Sequence, residues 1–235
     1  WSDGFVADTI ADWLKTAEVM DVTGRRHRAF LAREDLSQWR ARVEEPLSVP
    51  YHGWTVYQTG PWGPGPVLLQ ALQILKNFDL SAMDPMGPQF VHTVVEAIKL
   101  AWADREAYYG DPDFFDVPIA QLLAEDYGRE RAKLSGEQGS VDQRPGSLPG
   151  YENLAEAVVT RAQRRIEVED NPATGEPTMA HLTDVRGDTV HLDIIDRHGN
   201  MVSATPSGGW LQSNSNVPGL GLALNSRAQM FWHAE

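Results

Sequence analysis

Cysteine is absent from the 235 residues of this chain. Disulfide bonds and thiol catalysis are therefore excluded, and the redox state of the compartment is left undecided. The seven histidines form neither an HExxH motif nor another close metal-ligand spacing, and no thiolate is available to complete such a set. We therefore expect the protein to use neither a metal ion nor a cofactor.

Positive charge is also scarce, with 20 lysines and arginines against 33 aspartates and glutamates and a net charge of −13. Nucleic acids and anionic membrane surfaces both select basic proteins, so neither is expected as a partner. No apolar run approaches the length that spans a bilayer. The sequence leaves open whether the protein is cytoplasmic, periplasmic or secreted.

Hydrophobic residues make up 42% of the chain, which is enough for one sizeable core. We expect a single domain over residues 1–235. The chain begins with WSDGF and ends with QMFWHAE, directly after a strand-like run. We interpret it as an internal piece of a longer polypeptide, and we expect the domain to be incomplete.

Hydrophobic periodicity predicts helices in the first 165 residues. The first of them has the apolar stripe Phe5, Val6, Ile10, Trp13, Leu14 and Ala17, and its cap is predicted at Ser2 or Asp3. Pro66 suits the first turn of a second long helix. Further helices are predicted over 33–43, 118–134 and 153–165.

The longest helix is predicted over residues 90–108, and Gly110 with Asp111-Pro112 ends it. Its predicted buried stripe is Val91, Val94, Val95, Ile98 and Trp102. Loop or disordered segments are predicted over 135–150 and 167–178, where turn residues cluster.

Strand-like pieces dominate the chain after residue 178. They cover 181–185, 189–196, 200–206 and 220–226, and an earlier piece around Val56 follows a turn at Gly53. The run Asp196 to Asn200 is a good hairpin connection. Because helices come first and strands afterwards, we expect a layered α+β fold.

Two groupings of polar residues are better explained by local structure than by catalysis. Asp111, Asp113 and Asp116 lack the glycine and the closing glutamate of a calcium-binding loop, which favours a solvated turn. His92 and Glu96 lie one helical turn apart, which favours a core histidine or a surface pair over a catalytic dyad.

The strand over 189–196 raises the main functional question. Val190, Leu192 and Ile194 alternate with Thr189, His191, Asp193 and Ile195, a pattern that a half-buried strand explains without chemistry. On this interpretation Thr189 is an ordinary packed residue. It also follows the turn Gly187-Asp188 and an exposed, turn-rich segment of the kind in which a chain can be cut. Cleavage before Thr189 would free its α-amine to act as a base for its own hydroxyl.

The same residues resemble the γ-glutamyltranspeptidase family of N-terminal nucleophile hydrolases. The family motif is Thr-Thr-His, a hydrophobic residue, Ser, two hydrophobic residues and Asp, then a turn that ends in Gly-Asn. TVHLDIID at 189–196 is similar to it, with Val190 at the second Thr and Asp193 at the Ser. VHTVVEAIKLAWADREAYYGDPDF at 91–114 is similar to the long helix of the family, and the resemblance covers nearly the whole chain.

The resemblance implies a four-layer αββα sandwich and an inactive precursor that cuts itself between Asp188 and Thr189. Residues 1–188 would end the large subunit, and residues 189–235 would begin the small subunit. Thr189 would be the catalytic nucleophile that forms an acyl-enzyme. Ser207 matches a second hydroxyl residue that hydrogen-bonds the nucleophile in the family, with a plain turn residue as the alternative.

The residues that match the substrate site of the family depart from its pattern. Gly209 stands where the family has Asn, and Asn225 keeps the first Asn of the glutamate-recognition strand. Arg227 and Met230 replace the Gln and the Asp that hold the α-ammonium of a γ-glutamyl donor. A guanidinium repels an ammonium and can grip a carboxylate with two hydrogen bonds. We therefore expect an amide with a carboxylate-bearing acyl group, unless Arg227 is a surface residue without a substrate role.

The resemblance also implies binding partners. The expected partners are a small-molecule amide or γ-glutamyl-type substrate and the remainder of the same polypeptide. Whether the protein forms a homo-oligomer is left open. The carboxylate-clamping Arg of the family would precede Trp1 and its oxyanion-hole segments would follow Glu235, so the piece alone is expected to be inactive. The alternative to an enzyme is a catalytically silent family relative that serves as a binding or assembly module.

Overall fold

A computed structural model describes residues 1–20, 26–167, 190–205 and 216–224. The chain divides into two compact units, one made of Trp1–Arg42 with Asn171–Glu235 and the other of Val43–Asp170. Among the described residues, helices and short antiparallel strands both occur, which agrees with a mixed α and β fold. The described part contains no helix that is both long and apolar enough to cross a bilayer.

The elements follow one another in a fixed order along the chain. They are α1 (Phe5–Leu14), β1 (Val19–Met20), β2 (Arg26–His27), α2 (Arg33–Gln38), β3 (Leu47–Tyr51), β4 (Trp54–Gln58), α3 (Gly65–Leu75), a 3₁₀ turn (Leu80–Ala82), α4 (Pro88–Tyr108), α5 (Ile119–Leu122), α6 (Glu125–Ala132), α7 (Glu152–Glu167), β5 (Leu192–Ile195), β6 (Met201–Ala204), β7 (Asn216–Val217) and β8 (Leu222–Ala223). In the described ranges each strand pairs with its neighbour in sequence, which gives the two-stranded sheets β1–β2, β3–β4, β5–β6 and β7–β8.

The first unit builds its small core from α1 and β7. Ile10 and Leu14 are buried against Val217. This confirms the predicted apolar stripe of the first helix at those two positions. Phe5, which the same stripe placed inside, is 75% exposed because it lies at the first position of the helix. Gly4 occupies the N-cap position, so the predicted cap at Ser2 or Asp3 is wrong.

The second unit starts with a hairpin and a helix that the sequence predicts correctly. In the β3–β4 hairpin, His52 and Gly53 both have positive φ, 45° and 85°, which is the geometry of a tight two-residue turn. Pro66 lies in the first turn of α3, where the missing backbone N–H has no helical partner to lose.

Helix α4 confirms the predicted long helix but presents the opposite face to the core. Its exposed side carries four residues of the predicted buried stripe, Val91, Val95, Ile98 and Trp102, which are 40–51% exposed. Its buried side carries small and polar residues, Thr93, Glu96, Ala97, Leu100, Ala101, Ala103 and Asp104. The prediction is wrong here because the carboxylates of α4 pack inward together with its smaller side chains, where Arg131 and Arg144 bind them.

Asp104 is the centre of this buried polar network. Its carboxylate accepts hydrogen bonds from Arg131 Nε at 3.1 Å, from the backbone N–H of Gly146 at 2.6 Å and from the side-chain amide of Gln70. Arg131 is 3% exposed and Asp104 is 0% exposed. Burial raises the pKa of Asp104 above its ordinary value, and the charge of Arg131 with the hydrogen bonds from Gly146 and Gln70 opposes that rise.

Glu96 repeats the arrangement two turns earlier in α4. Arg144 Nη2 and Lys99 Nζ each approach its carboxylate at 2.6 Å, and the backbone N–H of Ser140 approaches at 3.3 Å. Burial acts to raise the pKa of Glu96, but the hydrogen bonds from Lys99 and Arg144 outweigh burial and bring the pKa below its ordinary value.

The two carboxylates of α4 also order the loop after α6. Residues 135–150, predicted as a loop or disordered segment, form a loop whose Arg144 and Gly146 bind α4. A side chain at Gly146 would collide with the hydroxyl of Tyr127, so this position requires glycine. Leu148 is buried beside Tyr108 and closes this part of the core.

The predicted helix over 118–134 is split into α5 and α6. The side-chain amide of Gln73 in α3 donates to the backbone carbonyl of Leu123 at 2.7 Å. This bond satisfies a carbonyl that the interrupted helix leaves without an intrahelical partner. The predicted helix over 153–165 is confirmed as α7.

We predict that Asp104→Ala lowers the free energy of unfolding of the full-length protein by about 3–5 kcal/mol, because it leaves the Arg131 guanidinium buried without its countercharge. Asp126→Ala is the matched control, since it removes an 88% exposed carboxylate that lies 2.9 Å from Arg129. The control should leave the unfolding free energy nearly unchanged. Urea unfolding checks both variants, and equally small losses would contradict a structural role for the buried pair.

Candidate functional site

The β5–β6 hairpin is the described element that follows the predicted nucleophile most closely in the sequence. Its register pairs Leu192 with Ala204 and Ile195 with Met201. This confirms the hairpin connection predicted over 196–200. The predicted half-buried strand is wrong for the described residues, because the side chains of β5 are exposed on both faces.

Asp196 holds the turn of this hairpin together. Its carboxylate accepts hydrogen bonds from the backbone N–H groups of His198 and Asn200 at 2.8 and 2.9 Å and from the Asn200 side-chain amide at 2.7 Å. The Asn200 amide and these backbone N–H groups lower the pKa of Asp196. Gly199 adopts φ 83°, a left-handed conformation that glycine reaches without strain.

One face of the hairpin carries a chain of polar side chains. His191 Nε2 lies 2.9 Å from Asp193 Oδ2, and His191 Nδ1 lies 2.7 Å from Thr205 Oγ1. Ser203 stands opposite Asp193 in the register, and its hydroxyl is the main cause that lowers the pKa of Asp193, followed by His191. We call Asp193, His191 and Thr205 the polar relay.

The opposite face of the hairpin is apolar and open to solvent. Leu192, Ile194 and Val202 are 41–58% exposed, although each is a residue type that strands normally bury. Contiguous exposed apolar surface is uncommon on folded proteins.

Alternation along the strand places His191 and Asp193 on the same face as Thr189, but it does not predict their contact with each other or with Thr205. The signal lies in the register: the hairpin turn that pairs Leu192 with Ala204 also sets Thr205 opposite His191. Counting outward from the turn Asp196 to Asn200 would have shown it.

The predicted site residues themselves lie outside the described residues. This applies to the cleavage site Asp188 and Thr189, to the second hydroxyl at Ser207, and to the substrate contacts Gly209, Asn225 and Arg227. Their roles and the subunit boundary after residue 188 therefore stay predictions. The strand predicted over 181–185 and the loop that follows Glu167 lie in the same undescribed ranges.

The two polar groupings have structural partners, but His92 and Glu96 do not form the surface pair considered above, since Glu96 is buried and both bind residues far along the chain. His92 Nε2 contacts the backbone carbonyl of Gly136 at 2.7 Å, while Glu96 binds Arg144 and Lys99. In the 111–116 turn, Asp111 accepts a hydrogen bond from the backbone N–H of Asp113 at 2.9 Å. Within the described ranges, no group of three or more His, Asp or Glu side chains could hold a metal ion.

Comparison with known proteins decides the family. The family model described as Gamma-glutamyltranspeptidase matches residues 2–235. The chain belongs to the γ-glutamyltranspeptidase family. Family relatives include the glutathione hydrolase proenzyme of Bacillus subtilis (strain 168), which is 29% identical over 219 residues, covering 92% of this chain and 35% of the relative.

Solved structures also resemble the chain. The structure of LmbA2991HD is 41% identical with a TM-score of 0.74, and the match covers 99% of this chain and 37% of that one. A cephalosporin acylase from Bacillus halodurans is 33% identical with a TM-score of 0.52, over 61% of this chain and 24% of the acylase. The chain thus spans about a third of the length of the curated relatives that it matches.

We predict that Asp196→Ala loosens the hairpin, because three hydrogen bonds to its carboxylate close the turn. Backbone amides of β5 and β6 should exchange with solvent several-fold faster in the full-length variant. Arg197→Ala at the tip of the same turn is the control and should leave the exchange unchanged. Hydrogen–deuterium exchange followed by mass spectrometry makes the comparison, and equal exchange in both variants would contradict a turn-closing role for Asp196.

Proposed function

We propose that the full-length protein is a self-processing amidohydrolase or acyltransferase that uses Thr189 as its nucleophile. The observation that carries the proposal is the register of the β5–β6 hairpin. Counted on by three residues in the sequence, this register would set position 189 opposite position 207, the two positions at which the family places the nucleophile and its hydroxyl partner. Strand alternation would put position 189 on the same face as His191 and Asp193.

The proposed chemistry uses one hydroxyl twice. In the precursor, Thr189 Oγ1 attacks the carbonyl carbon of Asp188, the C–N bond breaks, and water opens the resulting ester. The freed α-amine of Thr189 then serves as the base when the same hydroxyl attacks the amide substrate. The β-branched side chain of threonine restricts χ1 and keeps the hydroxyl directed at its target.

The names of the relatives support this reaction class. The Bacillus subtilis relative is described as a proenzyme and as a glutathione hydrolase, and the Bacillus halodurans relative is described as a cephalosporin acylase. Both names denote cleavage of an acyl–nitrogen bond. The two names do not determine which acyl group this protein transfers, since they describe different acyl donors.

We further propose the four-layer αββα sandwich as the fold of the full-length protein. The support is that each unit separately leaves an apolar face open. In the second unit this face is the α4 stripe around Val95 and Ile98, and in the first unit it is the apolar side of β5 and β6. A sandwich of helical and sheet layers covers faces of this kind.

The proposed substrate is an amide whose acyl group carries a carboxylate and no α-ammonium. The support is the replacement of a neutral amide and an acid of the family pattern by Arg227 and Met230. A cation at this position repels an ammonium and forms charge-assisted hydrogen bonds with a carboxylate.

We predict that the full-length protein is cleaved before Thr189, which gives a new chain that begins Thr-Val-His-Leu. Thr189→Ala should stay whole, because its side chain has no hydroxyl to attack the Asp188 carbonyl. Thr183→Ala is the matched control and should be cleaved normally. Intact-mass measurement and N-terminal sequencing test this. A wild-type chain that stays whole after long incubation would instead support the catalytically silent relative.

We predict that the mature enzyme hydrolyses glutaryl-p-nitroanilide with a higher kcat/KM than γ-glutamyl-p-nitroanilide, two substrates that differ only in the α-ammonium group. Arg227→Gln should lower kcat/KM for the glutaryl substrate roughly 10- to 100-fold, the size expected for one charge-assisted hydrogen-bonded contact. Arg197→Gln at the hairpin turn is the control. Preference of the wild type for the γ-glutamyl substrate would overturn the proposed acyl specificity and leave the Thr189 proposal intact.

A further inference from the structure

The polar relay has the geometry by which an activated hydroxyl nucleophile is recognised. In such a site a hydroxyl lies beside one imidazole nitrogen, and a carboxylate lies beside the other. Here Thr205 Oγ1 lies 2.7 Å from His191 Nδ1, and His191 Nε2 lies 2.9 Å from Asp193 Oδ2. Both distances are those of hydrogen bonds between a nucleophile, its base and the group that orients the base.

Asp193 decides which imidazole nitrogen of the relay carries the hydrogen. The hydroxyl of Ser203 and then His191 lower the pKa of Asp193, so the carboxylate is ionised at neutral pH and can only accept hydrogen bonds. His191 Nε2 must therefore donate to Asp193. Nδ1 keeps its lone pair, and the Thr205 hydroxyl donates to it. The proton of this hydroxyl is thus already directed at a base.

The relay is open to molecules in solution. Thr205 is exposed, and the side chains of His191 and Asp193 are 55% and 64% exposed. Ser203 stands opposite Asp193 in the hairpin, and its hydroxyl donates to that carboxylate, whose lowered pKa makes it a weak base. Within the described hairpin, Thr205 is therefore the hydroxyl that combines exposure with an imidazole partner.

We propose that Thr205 is an acylation site that takes its acyl group from an activated ester. The inference goes beyond the proposed function, because no step in it involves Thr189. Thr205 Oγ1 attacks the carbonyl carbon of the ester while its proton passes to His191 Nδ1. The bond from that carbon to the leaving oxygen then breaks, and the leaving alcohol takes the proton from His191. The products are an acyl ester of Thr205 and the free alcohol.

An ester suits this site better than an amide. An activated alcohol leaves a tetrahedral intermediate more easily than an amine does, so an ester needs less assistance in a site that is open to water. Asp193 does not touch the ester. It is a positioning residue that holds His191 in one tautomer and stabilises the imidazolium that forms. The family motif has Ser at this position, so the carboxylate is a departure of this chain.

The test uses full-length protein that carries Thr189→Ala, so that acyl transfer to Thr189 contributes nothing. The probe is p-nitrophenyl dimethylcarbamate, because the carbamoyl ester that it leaves on a hydroxyl is hydrolysed slowly and accumulates. Digestion and tandem mass spectrometry should locate the carbamoyl group on Thr205. Thr55 is the internal control, since it is an exposed strand threonine that stands opposite Pro50 and not opposite a histidine. It should stay unlabelled.

Variants of the relay should change the rate of this labelling. His191→Gln should slow carbamoylation of Thr205 on the order of 100-fold, the lower end for a positioned base, because the relay is open to water. Thr205→Ser keeps the hydroxyl and should be labelled at a comparable rate, whereas Thr205→Val should not be labelled at this position. His198→Gln removes a histidine at the turn of the same hairpin and is the matched control, which should leave the rate unchanged.

A double-variant comparison tests the positioning role of Asp193. Asp193→Asn should slow labelling several-fold when His191 is present, because an asparagine side chain can donate as well as accept and no longer fixes the tautomer. In the His191→Gln background the same change should have no effect, since no imidazole remains to be positioned. Equal slowing in both backgrounds would contradict this role.

Three results would overturn the acylation site. They are an unlabelled Thr205 in the protein with the intact relay, equal labelling of Thr205 in His191→Gln, and labelling of Ser203 or Thr55 at the same rate as Thr205. Each is independent of the proposed function, because the protein tested has no hydroxyl at position 189. A missing cut before Thr189 would bear on the proposed function alone.

Discussion

The register of the β5–β6 hairpin is the constraint on which the functional interpretation depends. Side chains alternate along a strand, so a slip of one residue would move each of them to the opposite face. Three hydrogen bonds to the Asp196 carboxylate and the left-handed Gly199 close the turn and so fix the pairing of Leu192 with Ala204. This pairing places Thr205 beside His191.

Buried charge plays the corresponding role in the second unit. Helix α4 carries Asp104 and Glu96 on its inner side, and each is matched by an arginine that enters from α6 or from the loop after it. The Glu96–Arg144 pair and the hydrogen bond from Gly146 to Asp104 hold the loop after α6 against α4, and the Asp104–Arg131 pair joins α4 to α6. With its carboxylates inside, α4 exposes its apolar side.

The sequence predicted the helices and turns better than it predicted which of their side chains are buried and which residues they contact. The extent of α4 and the turn at Asp196 follow from local signals, namely the apolar periodicity with Gly110 and Asp111-Pro112 in one case and a five-residue polar connection in the other. The inner face of α4 could not be predicted, because its carboxylates are neutralised by Arg131 and Arg144, which lie 27 and 48 residues further along the chain. The contact of His191 with Thr205 was missed for the same reason, since it depends on a pairing between strands. The motif at Thr189 was recognisable without structure, because it is a run of neighbouring residues.

The most direct measurement of the central claim is to trap the acyl-enzyme. Full-length protein is mixed with an excess of glutaryl-p-nitroanilide, quenched in acid during turnover, digested and analysed by tandem mass spectrometry. The interpretation predicts a glutaryl group on the peptide that begins at Thr189, attached to the threonine side chain. Turnover with the acyl group on another residue would contradict the assignment of Thr189 as the nucleophile.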